Sequence, residues 1–562
     1  MEIKGSVVVE GIAAGFIRFF NQDYEKRIQG YVKESPEREK ERFEKARQGA
    51  ASDLNNLLKD REKLSESEGE ILEAHQLLAE DMSLKETIVN YIEQGEAAPD
   101  GVLKAVSDFK AMFDDIDDEY LRERQKDIID VGNRFLRKLL GMKEFSLEGD
   151  NIVLWAKDIE PSLMASLSEK QVKAILLESG SKTSHAVILA KAKGFVTMVG
   201  VSLSPEEISE GENVIVDANQ GVIHFNPSEK EMEHCLALVK EQEEQKKFLE
   251  ERAKLPARTK DGKSVTVAAN ISGAGDMEKA IALGCEGVGL FRTEFLFMDR
   301  DKLPTEEEQF LAYKGVTEQA AGNLCIIRTL DIGGDKPCKA LSLTAEENPF
   351  LGFRAIRICL NQKEMFKTQL RAILRAGAYG KVGIMIPMVS SLWEILETKK
   401  LVEEVKGEMD AEKISYGKEV PLGIMVETPA ASIMAPVFAK HVDFFSIGTN
   451  DLVQYTLAVD RGNQSVSYLY DYFNPAVLHS IHRIVTRAHE AGIWAGMCGE
   501  MAGDKLALPF LLALGIDELS MSPSQAPGVK EQIRNMDSGV CLDEILSLKD
   551  AGEVREYLRG LL

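Results

Sequence analysis

The chain has 562 residues, 44% of them apolar and 28% charged, and a formal net charge of −24. That length is too great for one hydrophobic core and implies roughly three or four domains, while the composition excludes a disordered or fibrous chain. The acidity disfavours a nucleic-acid binder, which would need clustered Lys and Arg to hold phosphates, and no run approaches the ~18 apolar residues of a membrane span.

The seven cysteines (Cys235, Cys285, Cys325, Cys338, Cys359, Cys498, Cys541) are scattered and include no C-x-x-C pair. Neither a disulfide framework nor a structural zinc site is expected, and the compartment should be reducing, with a single reactive thiol left open. The opening "MEIKGSVVVEGIAAG" has no basic region followed by a long apolar core. A cytoplasmic location without direct membrane insertion follows as the expectation, and the acidity favours a partner with a basic face.

In chain order, Ser6 to Ala14 reads as a strand and turn. From about Asp23 the language changes to Glu, Lys, Arg, Leu and Ala with apolar residues at three-and-four spacing, which predicts amphipathic helices to about residue 140. After Gly149, "NIVLWAK" and "VKAILLE" read as strands, "SHAVILAKAKG" as a helix, "FVTMVGV" as a strand and "NVIVDANQGVIHFNP" as a hairpin. The first strand lacks a sheet of its own, so the helices read as an insertion into a small α/β domain. The charged run 228–254 reads as a solvated connector helix.

From Ser264 onward eight β-rich runs alternate with helical segments: "VTVAAN", "GVGLF", "CIIRTL", "VGIMIPM", "LGIMVE", "FFSIG", "IWAGM" and "IDELSMS". Their number and spacing predict a (β/α)8 barrel, in which function sits at the C-terminal ends of the strands. Those ends offer Asn270, Arg292 and Glu294, Arg328 and Asp331, Met388, Glu427, Asn450 and Asp451, Cys498 and Glu500, and Ser522. Arg292, Arg328, Arg461 and Lys336 suit phosphate or carboxylate, although any one of them can equally be a surface ion-pair partner. Glu427 and Asp451 are hard oxygen ligands of the kind that hold Mg2+ together with water and a substrate phosphate, or they simply pair with the arginines. Cys498 is either a packing residue or, among charged groups at a strand end, a catalyst.

His185, in "ESGSKTSHAVILAKAKG", stands at a predicted helix start. Free N–H groups and the positive end of the helix dipole would stabilise a phosphoryl group there. Thr183 or Ser184 could cap that helix and touch the imidazole. The competing reading is a structural histidine.

Several blocks carry a resemblance: "SGSKTSHAVILA", "LFRTEFLFM", "RTLDIGGDKP", "NPFLGFRAIRI", "IMVETPAA", "FFSIGTNDLVQYTLAVDRGN" and "GMCGEMAGD", with "EAHQLLAEDMSL" and "DDEYLRERQKDIIDVGNR" in the helical region. Through them the chain resembles the Enzyme I family, the phosphoenolpyruvate (PEP)-protein phosphotransferases of the bacterial sugar phosphotransferase system. The resemblance spans nearly the whole chain. It implies a multidomain α/β protein: a swivelling phosphohistidine α/β domain (1–22 and 143–227), an inserted helical domain that docks the carrier HPr (23–142), a helical linker (228–258) and a PEP-binding, dimerising TIM-type barrel (259–562). It implies that His185, supported by Thr183, takes the phosphoryl group from PEP and passes it to a histidine of HPr. Arg292 and Arg328 would hold the PEP phosphate, and Asn450 and Arg461 its carboxylate side, with Lys336, Arg354 and Asp451 also at the substrate. Glu427 with Asp451 would hold Mg2+, and Cys498 would protonate the enolate of pyruvate.

The chain departs from the family pattern around His185. "VEGIAAG" replaces a Ser-Pro-Gly turn, Gly180, Ser181 and Lys182 replace a Gly-Gly-Arg type of lead-in, and "GFVTMVG" replaces Gly-x-Pro-Ala. Two other readings stay open. PEP synthase or pyruvate phosphate dikinase shares the phosphohistidine and barrel domains but adds a large ATP-binding domain, and residues 23–140 carry no Gly-rich phosphate loop. A regulatory binding protein could keep the fold without the transport role.

Overall fold

In the computed structural model the chain divides into two compact units, Met1–Glu244 and Gln245–Leu562. The structure describes residues 2–20, 24–59, 66–114, 119–142, 149–159, 163–164, 167–168, 171–178, 187, 190, 193–203, 208–298, 300, 302–333, 338–341, 343, 346–463 and 465–562.

The first unit is built on an eight-stranded mixed sheet of order β1-β8-β7-β3-β4-β5-β6-β2. Its strands are β1 (Glu2–Lys4), β2 (Ser6–Val9), β3 (Ile12–Phe20), β4 (Ile152–Ala156), β5 (Val172–Leu177), β6 (Val196–Val199), β7 (Asn213–Asp217) and β8 (Val222–Phe225). The strand expected to end in a turn near Ala14 is instead two strands, and β3 runs on to Phe20. It can do so because it has a partner on each side, β7 antiparallel and β4 parallel.

Burial on both faces explains why β4 and β5 read as unbroken apolar runs and not as alternating ones. Val153, Trp155, Ala174 and Leu176 pack into one core, while Leu154, Ala156, Ile175 and Leu177 pack into the core on the opposite face. The Trp155 indole N–H still finds an acceptor, the Val201 carbonyl at 2.8 Å, as a buried indole requires.

Among the described residues between β3 and β4 the chain forms the helices α1 (Tyr24–Gln29), α2 (Pro36–Lys59), α3 (Glu66–Glu80), α4 (Met82–Glu93), α5 (Ala98–Asp114) and α6 (Glu119–Leu139). Their apolar stripes meet in a separate core around Phe43, Leu72, Ile88, Val102, Val131 and Phe135. One histidine belongs to this interior. His75 of "EAHQLL" is fully buried, with Nε2 3.1 Å from Asp127 and Nδ1 3.6 Å from Asp130, which ties α3 to α6. After β8 comes α7 (Glu229–Arg252), the charged helix read as a connector; the boundary between the two units falls within it.

The second unit is a closed barrel of eight parallel strands in the order of the sequence. They are β9 (Thr266–Ile271), β10 (Val288–Phe291), β11 (Cys325–Arg328), β12 (Val382–Ile386), β13 (Leu422–Val426), β14 (Phe444–Ile447), β15 (Trp494–Met497) and β16 (Glu518–Met521), the eight runs picked out from the sequence. Alternate residues of each strand face the lumen. Leu290, Ile326, Met385, Met425, Phe444 and Cys498 pack there on one another, while Phe291, Ile327, Ile384, Ile424 and Ile447 pack outward with the surrounding helices. Phe444 and Trp494 stack at 4.6 Å between ring centroids within the lumen. Gly423 leaves room for that layer, since a Cβ there would lie 2.4 Å from the Phe444 ring.

The junction of β3 and β4 gives a test of the first unit. A Cβ on Gly15 would lie 1.9 Å from the Asn151 carbonyl oxygen, the same oxygen that accepts the Phe16 N–H at 2.9 Å. Gly15→Ala should therefore destabilise this unit by about 3 kcal/mol, seen by calorimetry of the whole chain as a lowered transition. An unchanged thermogram would show that the two strands can part to admit a methyl group.

Candidate active site

The period-2 alternation of the barrel strands selects the side chains that reach its C-terminal mouth. Counting upward in steps of two from the lumen layer gives Asn270 on β9, Arg292 after β10, Arg328 on β11, Glu427 after β13, Cys498 after β15 and Ser522 after β16. These six line one cavity of about 350 Å3 together with Glu294, Asp331, Arg354, Asn450, Asp451 and Arg461. Of the strand-end residues named from the sequence, Met388 does not line this cavity and reaches it only through its backbone N–H on Glu427; the other described ones are brought together there. Lys336, Thr183 and His185 lie outside the described residues.

Local sequence explains the placements. In "VETP" the Thr428 hydroxyl accepts the Ala431 N–H at 3.1 Å and Pro429 opens the helix Pro429–Phe438, so the chain turns immediately after Glu427. In "GTNDL" the helix Thr449–Leu457 starts directly after β14 and puts Asp451 in its first turn, where the dipole favours a carboxylate. Gly448 lets Glu427 approach, since a Cβ there would be 2.9 Å from Glu427 Oε2. Gly499 packs against Thr449 so closely that a Cβ would fall 1.9 Å from the Thr449 hydroxyl. Two non-glycine residues flank the site with positive φ, Ala355 at 53° beside Arg354 and Met388 at 59°. Met388 uses that geometry to donate its N–H to Glu427 Oε1 at 2.6 Å, and the strain costs about 1–3 kcal/mol per residue.

The charged groups form one network. Arg328 pairs with Glu294 at 2.7 Å and with Asp331 at 3.0 Å. Arg354 pairs with the other oxygen of Asp331 at 2.9 Å, lies 3.9 Å from Asp451, and donates to the Tyr455 hydroxyl at 3.2 Å. Burial by itself would lower both guanidiniums, but the carboxylates outweigh it: Glu294, Asp331 and Glu427 for Arg328, Asp331 and Asp451 for Arg354. Both stay charged, above their ordinary value. Each also keeps its Nε–H buried without an acceptor among the described residues. Arg292 differs, being exposed and in no ion pair among the described residues.

Asn450 is fixed from three sides. Its Nδ2 donates to Glu500 at 3.4 Å, its Oδ1 accepts the Glu500 N–H at 3.0 Å, and its carbonyl accepts the Tyr470 hydroxyl at 3.1 Å. Arg461 has its backbone N–H bound to Gln454 Oε1 at 3.1 Å.

Glu427 is pushed well above the usual carboxylate range, first by burial and then by Asp451 and Asp331, which Arg328 and Arg354 only partly offset. Asp451 Oδ1 is buried with no hydrogen-bond partner among the described residues. Two close carboxylates, one with an unsatisfied oxygen and the other driven toward its neutral form, are the donor set that a hard divalent cation relieves, so these residues fit Mg2+. No group of three or more His, Cys, Asp or Glu poised for a metal occurs among the described residues. Water and substrate oxygens would therefore complete the shell.

Cys498 is buried with Sγ 3.8 Å from the Ile447 carbonyl. Burial pushes its thiol up to about 12, Ser446 and Arg328 pull the other way, and Glu427 and Glu518 add to the rise. It is a thiol, not a thiolate, throughout the physiological range. Tyr455, Tyr470, Met425 and Gln525 also belong to the site or its support, and they do not stand at strand ends. The two tyrosines act through neighbours placed by distant loops, and a pattern of strand ends carries no signal for them.

A barrel whose mouth combines arginines, paired carboxylates and a protonated thiol defines an enzyme for a phosphorylated carboxylate. Three family patterns agree. Residues 246–538 match "PEP-utilising enzyme, PEP-binding domain", residues 4–124 match "PEP-utilising enzyme, N-terminal", and residues 148–221 match "PEP-utilising enzyme, mobile domain". The chain is 42% identical over 532 residues to the phosphoenolpyruvate-protein phosphotransferase of Haemophilus influenzae (93% of this chain, 92% of that one). It is 41% identical over 569 residues to that of Priestia megaterium (100% and 99%) and 40% over 567 residues to that of Listeria innocua (99% and 98%). The chain belongs to the phosphoenolpyruvate-protein phosphotransferase family, and is an enzyme of the transferase class.

The raised thiol gives a direct test. The thiolate is the alkylating nucleophile, so at pH 8 iodoacetamide should label exposed Cys541 and leave buried Cys498 intact. Peptide mapping that finds Cys498 labelled first would overturn its protonated state.

Proposed function

We propose that the protein transfers the phosphoryl group of PEP to His185 and then to a histidine of the carrier HPr, the first step of sugar uptake by a phosphotransferase system, in the cytoplasm. One observation carries the reading: among the described residues the barrel mouth offers cations, carboxylates and a thiol held protonated, but no histidine. The acceptor must then come from elsewhere in the chain, and His185, at its predicted helix start, supplies it.

Arg292 and Arg328 neutralise the phosphate, with Arg354 and Lys336 beside them, while Asn450 and Arg461 take the carboxylate. Arg328 and Arg354, held charged by their carboxylate neighbours, offer positive charge to the phosphate and carboxylate oxygens of the substrate. When bound, Mg2+ on Glu427 and Asp451 supplies charge neutralisation at the transferring group. His185 Nε2 attacks phosphorus in line; the N–P bond forms as the P–O bond to the enolate breaks. Cys498 then gives its thiol proton to the enolate carbon, which becomes the pyruvate methyl group, and is left as a thiolate.

In the second half-reaction HPr docks on the helical domain, where Leu77 and Met82 leave apolar surface exposed at the α3–α4 junction. Homodimerisation through the barrel is supported by exposed Trp393 and Leu396 on the helix Leu392–Glu412 and by exposed Ile433 and Met434 on the neighbouring helix Pro429–Phe438.

With 32P-labelled PEP and Mg2+, the wild type should become labelled and then pass label to purified HPr; His185→Ala should do neither. Equal labelling of both would remove His185 from the mechanism, and a labelled enzyme that refuses HPr would point to another carrier. Cys498→Ala should slow pyruvate formation by about a hundredfold.

A further inference from the structure

Below the substrate cavity the barrel lumen holds polar groups with no part in the transfer. Glu518, at the start of β16, is 8% exposed, and Ser520, the next inward residue of that strand, is fully buried. Space has been made for them. A Cβ on Gly289 of β10 would lie 2.5 Å from Glu518 Oε1 and 2.5 Å from Ser520 Oγ, and one on Gly496 of β15 would lie 3.3 Å from Glu518 Oε1. The carboxyl and the hydroxyl thus crowd round one point, over two glycines that admit them.

From Ser520 a hydrogen-bonded path leads upward. Ser520 Oγ donates to Asn270 Oδ1 at 2.6 Å, and Asn270 Nδ2 donates to the Cys498 carbonyl at 3.0 Å. The donor directions are consistent along its length. The Cys498 carbonyl can only accept, so it fixes the Asn270 amide with its NH2 toward Cys498, and Asn270 Oδ1 is left to take the hydrogen of the Ser520 hydroxyl. Glu518 is pushed up to about 7, mainly by burial and further by Asp517.

We propose that Asn270, oriented from below by Ser520, is a positioning residue that sets the Cys498 backbone, and with it the direction in which the thiol delivers its proton to the enolate. This rests on the reading of Cys498 as the acid. The Cys498 backbone is otherwise held by its own N–H on the Ile447 carbonyl at 3.1 Å, so the two contacts hold the peptide units on either side of Cys498 from β14 and β9. The S–H bond that breaks and the C–H bond that forms must be nearly collinear, and a displacement of about 1 Å at such a centre costs up to a hundredfold in rate.

Two variants probe the path without hollowing the barrel. Asn270→Asp keeps an acceptor for Ser520 but replaces the donor to Cys498 with a carboxyl oxygen and adds charge at the cavity wall; Ser520→Ala removes a single hydroxyl. Pyruvate formation by the full chain with PEP and Mg2+ is measured for each, in H2O and in D2O, alone and in a Cys498→Ala background. In both variants kcat should fall about tenfold or more, in Ser520→Ala with KM for PEP within about twofold, and the solvent isotope effect should grow as proton delivery becomes limiting. In the Cys498→Ala background Ser520→Ala should cost nothing further, because the path acts through the thiol.

An unchanged kcat in Ser520→Ala, which is the less disruptive variant, overturns the proposal. So does a loss that persists in full without Cys498, since Asn270 would then be acting on the substrate itself. Should Cys498→Ala alone form pyruvate at the wild-type rate, the acid role fails and the inference falls with it, a result recognisable without any Asn270 or Ser520 variant.

Discussion

One carboxylate, Asp331, lies between two buried guanidiniums and gives an oxygen to each. The rest of the candidate site depends on that sharing. A buried arginine without a partner would cost several kcal/mol of desolvation, and the barrel mouth buries two. Glu294 completes the pairing of Arg328, and Tyr455 together with Asp451 completes the surroundings of Arg354. Both cations are therefore held in place before any anion arrives, and the ordering entropy of two long side chains is met in folding and not in binding. The cost appears in the other carboxylates: with Asp331 and Asp451 near it, Glu427 is driven toward its neutral form.

The barrel delivers these groups by a rule of strand geometry. Every second residue faces inward, so each site residue that sits on a strand, or immediately after it, shares its orientation with the apolar lumen residue two positions before it. Met425 precedes Glu427, Ile326 precedes Arg328 and Leu290 precedes Arg292. The apolar layer fixes the strand registers and the register fixes the chemistry. Glycines then adjust the fit where two groups would collide, as Gly423 does under Phe444 and Gly448 beside Glu427.

Much of this was legible in the sequence, because period 2 and strand ends are local signals. The eight barrel strands, and Asn270, Arg292, Arg328, Glu427, Asn450, Asp451, Cys498 and Ser522 at their ends, could be named from spacing alone. Arg354 and its place in the site came only through the resemblance, since it lies in a loop beyond any strand run. What spacing cannot carry is pairing between distant segments. Nothing local tells that Asp331 serves two arginines, that Tyr455 supports one of them, or that β3 continues to Phe20 because β4 and β7 flank it 130 and 190 residues further on. Glu518 was read simply as one letter of a strand; its burial follows from Gly289 and Gly496 on two other strands. His185, Thr183 and Lys336 rest on the sequence, outside the described residues.

The burial of Cys498 has a consequence beyond supplying a proton. Sulfur is the softest nucleophile a protein owns, and a thiolate in a pocket built for activated phosphates and an α-keto acid would attack both, forming thiophosphate or a thiohemiketal. Held as a thiol by its surroundings, Cys498 is a poor nucleophile and a poor metal ligand as well as an acid. The same desolvation that stores the proton keeps the sulfur chemically silent toward the substrate until the proton is delivered, and afterwards drives the sulfur to take a proton back.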